Sequence, residues 1–142
     1  MAINLSDVLE AVQSCKDAGA RVISMSLSGD PPGYSATAEM LYQDVYNQDI
    51  LVIAAAGNDG RDVINYPSSY KTVVSVASVA EGGGEGSDTY GELSSFSTRN
   101  DQTEIAAPGG YVSCEVFPIV DSPVAVECYP QQCRFPRISL LA

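Results

Sequence analysis

A short, unbroken apolar run near the middle of the chain constrains the fold most. Residues 50–56 read ILVIAAA, and the turn-forming sequence Gly57-Asn58-Asp59-Gly60 follows at once. The run is far shorter than the roughly 20 apolar residues that a membrane helix needs. In a chain that alternates helices and strands, such a run is typical of a parallel strand covered by helices on both faces. We therefore expect a mostly parallel sheet that contains residues 50–56.

The flanking segments supply this alternation. Apolar side chains recur at helical spacing in residues 5–18 and 35–47, which predicts two amphipathic helices. Runs rich in β-branched residues at 21–27 and 72–79 predict two more strands, parallel to the first. The expected fold class is therefore α/β, a three-layer arrangement with helices flanking a mostly parallel sheet.

The regular pattern ends near residue 110. Short strands are expected at residues 93–97 and 104–107, before Pro108-Gly109-Gly110 interrupts the chain. Residues 111–142 carry four prolines and three cysteines, and no helical or alternating period extends through them. We divide the chain into an α/β domain, 1–110, and an irregular, divergent tail, 111–142.

Charge and the N-terminus exclude several function classes. The chain has 7 Lys+Arg against 18 Asp+Glu, a formal charge of −11, which repels phosphate backbones and anionic bilayers. We therefore expect neither nucleic acid nor a membrane as a partner. The first residues lack the positive region and apolar stretch of a signal peptide, so none is predicted and the cellular location stays open.

Neither the cysteines nor the glycine-rich segment is predicted to form a functional site. Without a signal peptide, Cys15, Cys114, Cys128 and Cys133 are expected to be reduced. Cys128 and Cys133 form a poor zinc pattern in a chain with no histidine, so no metal site is expected there. Residues 81–86 (EGGGEG) lack the lysine of a phosphate-binding loop, and their glutamates would repel phosphate, which predicts a flexible connection.

Four motifs in one order resemble those of the subtilisin-like serine proteases, or subtilases. The strand and turn at 20–29 (ARVISMSLSG) resemble one side of the family's substrate cleft, and 50–60 (ILVIAAAGNDG) resembles its oxyanion-hole segment. Residues 66–79 resemble its Tyr-Pro-Ala segment and the following valine-rich strand, and 94–109 resemble its Ser-Phe-Ser and Ala-Pro-Gly elements. The resemblance covers about residues 5–110 and identifies residues 1–110 as a partial peptidase domain.

The resemblance assigns roles around the central turn. Attack on a peptide carbonyl creates an oxyanion that needs fixed hydrogen-bond donors, and the side-chain NH2 of Asn58 is such a donor. Without the other motifs, the same sequence would be taken as an ordinary turn. Ser28 replaces the family's usual glycine, and its β-carbon would narrow the cleft. The resemblance implies a peptide or protein substrate, contacted by Ser26, Leu27, Ser28, Gly29, Ala54, Ala55, Ala56 and Gly57.

The family's catalytic triad is not recognisable in this sequence. Its Asp and His motifs would precede residue 1, and the chain contains no histidine at all. The Gly-Thr-Ser-Met-Ala motif should follow Pro108-Gly109, yet Ser113, Ser122 and Ser139 lie in no such motif. A serine without a base is a weak nucleophile. We therefore interpret the chain as an inactive fragment whose missing partners are the flanking segments of its own domain.

Other interpretations stay open. A catalytically inactive peptide-binding pseudoprotease explains the missing triad equally well, and a small doubly wound domain that binds an anion is a third hypothesis. No cofactor is expected. Subtilases often bind calcium in loops and are often secreted, so Glu81, Glu85 and Asp88 are candidate calcium ligands, although a solvated acidic loop is preferred.

Overall fold

The computed structural model describes residues 4–29, 33–80, 91–109 and 126–128. The two predicted helices and the three main predicted strands are present, each within a residue or two of its expected bounds. Residues 104–107 lie inside a fourth strand. In chain order the elements are α1 (Leu5–Asp17), β1 (Val22–Met25), α2 (Ala36–Asn47), β2 (Leu51–Ala55), β3 (Val73–Val79), β4 (Thr103–Pro108) and β5 (Val126–Cys128).

The strands form one sheet in the order β4-β3-β2-β1-β5. Each neighbouring pair from β1 to β4 is parallel, whereas β5 runs antiparallel to β1 at the edge. The sheet is therefore mostly parallel, as predicted. The carboxyl ends of β1 to β4 all open at the same edge, which is where open α/β sheets bind their ligands.

One face of the sheet packs against both described helices. Side chains alternate between the two faces of a strand, so Ile23 and Met25 of β1 lie beside Val52 and Ala54 of β2 on the same face. These residues form a single buried core with the apolar stripes of the helices. The helical members of that core are Val8, Val12 and Cys15 of α1 and Ala38, Tyr42 and Val45 of α2.

The opposite face remains open over the described residues. Val22, Leu51 and Ile105 stay 38%, 43% and 52% exposed. Of the three layers expected, the described ranges contain the sheet and one helical layer. No helix in those ranges has the length and apolar character required to cross a membrane.

The prediction of a strand at residues 93–97 is wrong. Leu93 forms a single antiparallel bridge with Val79, and the chain then turns. The Ser97 N–H donates to the Ser94 carbonyl at 2.9 Å, and the Ser94 N–H donates to the Ser78 carbonyl at 2.9 Å. The Ser97–Ser94 bond closes a local turn, and backbone groups that are satisfied in such a turn are not available for a ladder.

The expectation of reduced cysteines is wrong for Cys15, which is disulfide-bonded. Cys15 is buried on α1, and α1 also contacts β5, so the helix lies beside a part of the cysteine-rich tail. A prediction drawn from the N-terminal sequence had no means of detecting this proximity. The expectations for the other cysteines, for the loop at 81–86 with Glu81, Glu85 and Asp88, and for the tail serines lie outside the residues whose side chains are described.

Candidate active site

A glycine turns the chain after β2 and brings Asn58 to the carboxyl edge of the sheet. Gly57 has φ +116, a conformation that residues with a β-carbon rarely adopt. A β-carbon there would lie 2.3 Å from Asn65 Nδ2 and 2.9 Å from both Ser28 Oγ and Thr98 Oγ1. Only glycine therefore fits between these three side chains.

Buried polar side chains form hydrogen bonds with the backbone and the carboxylate of the turn after β2. Asn65 Nδ2 donates to the Ala56 carbonyl at 3.1 Å and to Asp59 Oδ2 at 2.7 Å. Thr98 Oγ1 donates to Asp59 Oδ2 at 2.9 Å and accepts from the Asp59 N–H at 3.0 Å. The Thr98 N–H donates to the Gly57 carbonyl at 2.9 Å. Asn65 and Thr98 are 4% and 0% exposed, so both are part of the interior.

These contacts also set the charge of the turn. The hydrogen bond from Asn65, followed by the one from Thr98, lowers the pKa of the Asp59 carboxyl and outweighs the opposing effect of desolvation. Asp59 is therefore ionised near neutral pH, and its carboxylate joins the two buried side chains.

The segment at 94–109 packs against the turn and the end of β3. The Gly60 N–H donates to the Phe96 carbonyl at 2.8 Å, and Ser97 Oγ accepts from the Ser78 N–H at 2.9 Å. A β-carbon on Gly109 would lie 2.1 Å from Ser78 Oγ, so the residue that follows β4 packs tightly against the end of β3. Two of the motifs recognised in the sequence thus meet at one place in the fold.

A cavity of about 220 Å³ lies at the carboxyl ends of the parallel strands. Of the predicted site residues it is lined by Ser26, Ala54, Ala55, Ala56, Gly57 and Asn58. Small side chains on β2 leave the space open, and Phe96 and Ala107 line other parts of it. Within the described residues no group of His, Cys, Asp or Glu side chains is arranged to bind a metal.

Three predicted residues lie beside this cavity rather than in its lining. Leu27 packs against the core, and Ser28 Oγ lies 3.5 Å from the Ala56 carbonyl oxygen. The Gly29 N–H donates to the Tyr66 carbonyl at 3.2 Å, so this backbone donor has a partner within the chain. The segment after β1 therefore forms a wall next to Gly57.

Asn58 itself is exposed and lines the cavity. None of the hydrogen bonds between described residues uses its side chain, in contrast to Asn65, whose NH2 group has three acceptors within hydrogen-bond distance. Within the described ranges the amide of Asn58 therefore lies unpaired at the cavity.

Asp59, Asn65 and Thr98 were not predicted as site residues. Their contacts join positions up to 39 apart in the sequence, and no local pattern encodes such distances. One signal was available: Asn65 directly precedes the Tyr66-Pro67 motif and follows the apolar residues Val63 and Ile64. A polar side chain in that position is a candidate for burial with a partner.

Comparison with known proteins identifies the family. The model of the subtilase family matches residues 2–134. The thermostable alkaline protease of Halalkalibacterium halodurans is 37% identical over 106 residues, which are 75% of this chain and 27% of that protein. Thermitase of Thermoactinomyces vulgaris is 34% identical over 105 residues, 74% of this chain and 34% of that protein. The chain thus spans about a quarter to a third of the length of these relatives.

Solved structures agree with the sequence comparisons. The psychrophilic subtilisin-like protease Apa1 of the Antarctic psychrotroph Pseudoalteromonas sp. AS-11 superposes with a TM-score of 0.62 at 36% identity, covering 76% of this chain and 22% of that one. The epidermin leader peptide processing serine protease of Staphylococcus aureus gives a TM-score of 0.61 at 25% identity, covering 78% and 32%. The chain therefore belongs to the subtilase family of serine proteases and shares the subtilisin-like α/β fold.

Proposed function

We propose that residues 1–110 are part of the peptidase domain of a subtilisin-like serine endopeptidase and carry its oxyanion-hole donor and one wall of its substrate cleft. The observation that supports this most is the position of Asn58. Its amide lacks a partner among the described residues and lies at a cavity where four parallel strands end. Residues 111–142 are, in this proposal, a divergent tail.

The proposed chemistry is peptide-bond hydrolysis through an acyl-enzyme. When a nucleophile attacks the scissile carbonyl, negative charge develops on the carbonyl oxygen, and a donor that is already oriented lowers the barrier. Asn58 Nδ2–H is that donor. The cavity beside Ala54, Ala55 and Ala56 would accept a substrate side chain, and the segment 26–29 would contact the extended substrate backbone.

The general base of this reaction lies outside the 142 residues in this proposal. A serine nucleophile requires a base to remove its proton, and the chain has no histidine. The same observation favours a second candidate function, a peptide-binding module without catalysis. The two candidates differ in the role of Asn58. In the endopeptidase it acts only in the transition state, whereas in the peptide-binding module it contributes to binding or has no role.

The test places residues 5–109 in a subtilisin-like enzyme that supplies an intact triad, replacing the matching segment of thermitase. Asn58→Ala should then lower kcat by ~10²–10³ with little change in KM, since the donor acts on the oxyanion rather than on bound substrate. This range belongs to the oxyanion-hole asparagine of subtilisin and is carried over rather than calculated from this structure. Asn58→Asp should be at least as harmful, because it places a negative acceptor beside the oxyanion.

The control is Asn47→Ala, at an exposed asparagine that ends α2. It should leave kcat unchanged. If both Asn58 variants keep full kcat, Asn58 has no catalytic role and is only a turn residue. A raised KM with unchanged kcat would instead support the peptide-binding alternative.

A further inference from the structure

Asp59, Asn65 and Thr98 surround the turn that presents Asn58, and we refer to them as the turn clamp. We propose that the turn clamp consists of positioning residues, which hold the backbone on both sides of Asn58 and so fix the direction of its amide. This inference rests on the proposed role of Asn58. The family comparisons assign no role to the three residues.

The contacts hold the chain both before and after Asn58. On the preceding side, the Ala56 carbonyl accepts from Asn65 Nδ2 at 3.1 Å and the Gly57 carbonyl accepts from the Thr98 N–H at 2.9 Å. On the following side, the Asp59 N–H donates to Thr98 Oγ1 at 3.0 Å. Asn58 therefore lies between two anchored peptide units.

An ordinary surface turn does not need this construction. The backbone groups of an exposed Gly-Asn-Asp-Gly turn can bond to water, whereas here an amide and a hydroxyl are buried to serve them. Burial of unpaired polar groups is costly, so such groups persist only when they are fully paired. The Asp59 carboxylate completes the pairing by accepting from both Asn65 and Thr98.

A rigid turn is what an oxyanion donor requires. Functional groups act at full strength when neighbouring contacts hold them within about 0.5 Å and 10–20° of the productive geometry. Three side chains, those of Asn65, Ser28 and Thr98, lie so close to Gly57 that a β-carbon there would collide with them, so the turn is tightly surrounded. Loss of one clamp contact should therefore release Asn58 while the core under the sheet stays intact.

The experiment measures ¹⁵N relaxation of the full 142-residue chain. The Asn58 backbone order parameter should be close to that of rigid structure, about 0.85, in the original chain. Thr98→Val removes the hydroxyl at nearly constant shape and should lower the order parameter at Asn58 below about 0.6. Thr98→Ser keeps the hydroxyl and should therefore keep the rigid value. A rigid value with serine separates a role of the hydroxyl from a role in packing.

Asp59→Ala keeps the test decisive if Thr98→Val fails to fold, because Asp59 is exposed and lies outside the core. It should loosen Asn58 in the same way, and Asp62→Ala, at an exposed carboxylate nearby, should not. An Asn58 order parameter that stays rigid in Asp59→Ala and Thr98→Val overturns the inference. This readout does not depend on catalysis, so it can succeed even if Asn58→Ala proves kinetically silent, and the failures of the two proposals are distinguishable.

Discussion

Gly57→Ala is the substitution whose cost the structure defines most sharply. At φ +116 a non-glycine residue is strained by ~1–3 kcal/mol. The new β-carbon would lie 2.3 Å from Asn65 Nδ2, so this amide must move and leave the Ala56 carbonyl and Asp59. An unsatisfied buried group costs another ~1–3 kcal/mol. Together these effects predict a loss of ~2–6 kcal/mol in the free energy of unfolding.

Urea unfolding followed by circular dichroism measures this loss, and Gly19→Ala is the matched control. Gly19 also has a positive φ, +79, but a β-carbon there would meet no atom within 4 Å. The control therefore has the conformational strain without the collision, and we expect it to lose only ~1–2 kcal/mol. Because both variants carry conformational strain, their difference should reflect the ~1–3 kcal/mol cost of the collision, and a difference below about 0.5 kcal/mol would mean that the packing around Gly57 is not as described.

Three further predictions follow from the structure. The purified chain should hydrolyse no peptide and should not react with a fluorophosphonate, because a serine without a base is a weak nucleophile; stoichiometric labelling of any serine would contradict this. Because the pKa of Asp59 is lowered in the folded chain, its ionised form stabilises the fold above about pH 3.9, and this stabilisation is lost as the pH falls through the lowered pKa. Urea unfolding from pH 7 to pH 2 should therefore show a smaller loss of unfolding free energy at acid pH for Asp59→Asn than for the original chain. Tyr42 is 1% exposed, and its hydroxyl forms only a weak hydrogen bond, to the Met25 sulfur at 3.8 Å, among the described residues. Tyr42→Phe should therefore cost less than about 1.5 kcal/mol in thermal unfolding and Tyr42→Ala ~3–5 kcal/mol; equal losses would be inconsistent with this core.

Elements with a strong local pattern were predictable from the sequence. The run at 50–56 and the β-branched run at 72–79 are strands because their residue types suit a buried sheet, and the two helices carry clear apolar stripes. The segment 93–97 (LSSFS) mixes apolar residues with serines, contains no β-branched residue, and lies where the chain turns between β3 and β4. The Ser97 N–H bonds to the Ser94 carbonyl within the turn, and the Ser94 N–H and Ser97 Oγ bond to the backbone of Ser78. The residue composition of the segment does not reveal these contacts.

The candidate site was predictable in one part only. The position of Asn58 in a turn after β2 was predictable, because Gly57-Asn58-Asp59-Gly60 is a turn sequence, whereas its proposed role depends on the neighbouring motifs. The turn clamp depends on tertiary contacts between Asp59 and Thr98, which are 39 positions apart, and on the burial of Asn65 beneath the turn. The disulfide bond of Cys15 likewise is a tertiary feature that the local sequence of α1 does not reveal. Such contacts become visible only when the chain is folded.

The most direct test of the central claim compares two ligands of the triad-containing hybrid. A peptide aldehyde forms a tetrahedral adduct with an oxyanion, whereas the cleaved product peptide does not. If Asn58 is the oxyanion donor, Asn58→Ala should weaken the aldehyde by ~10²–10³ and leave the affinity for the product within about twofold. Equal weakening of both ligands, or of neither, would contradict the assignment of Asn58 to the oxyanion hole.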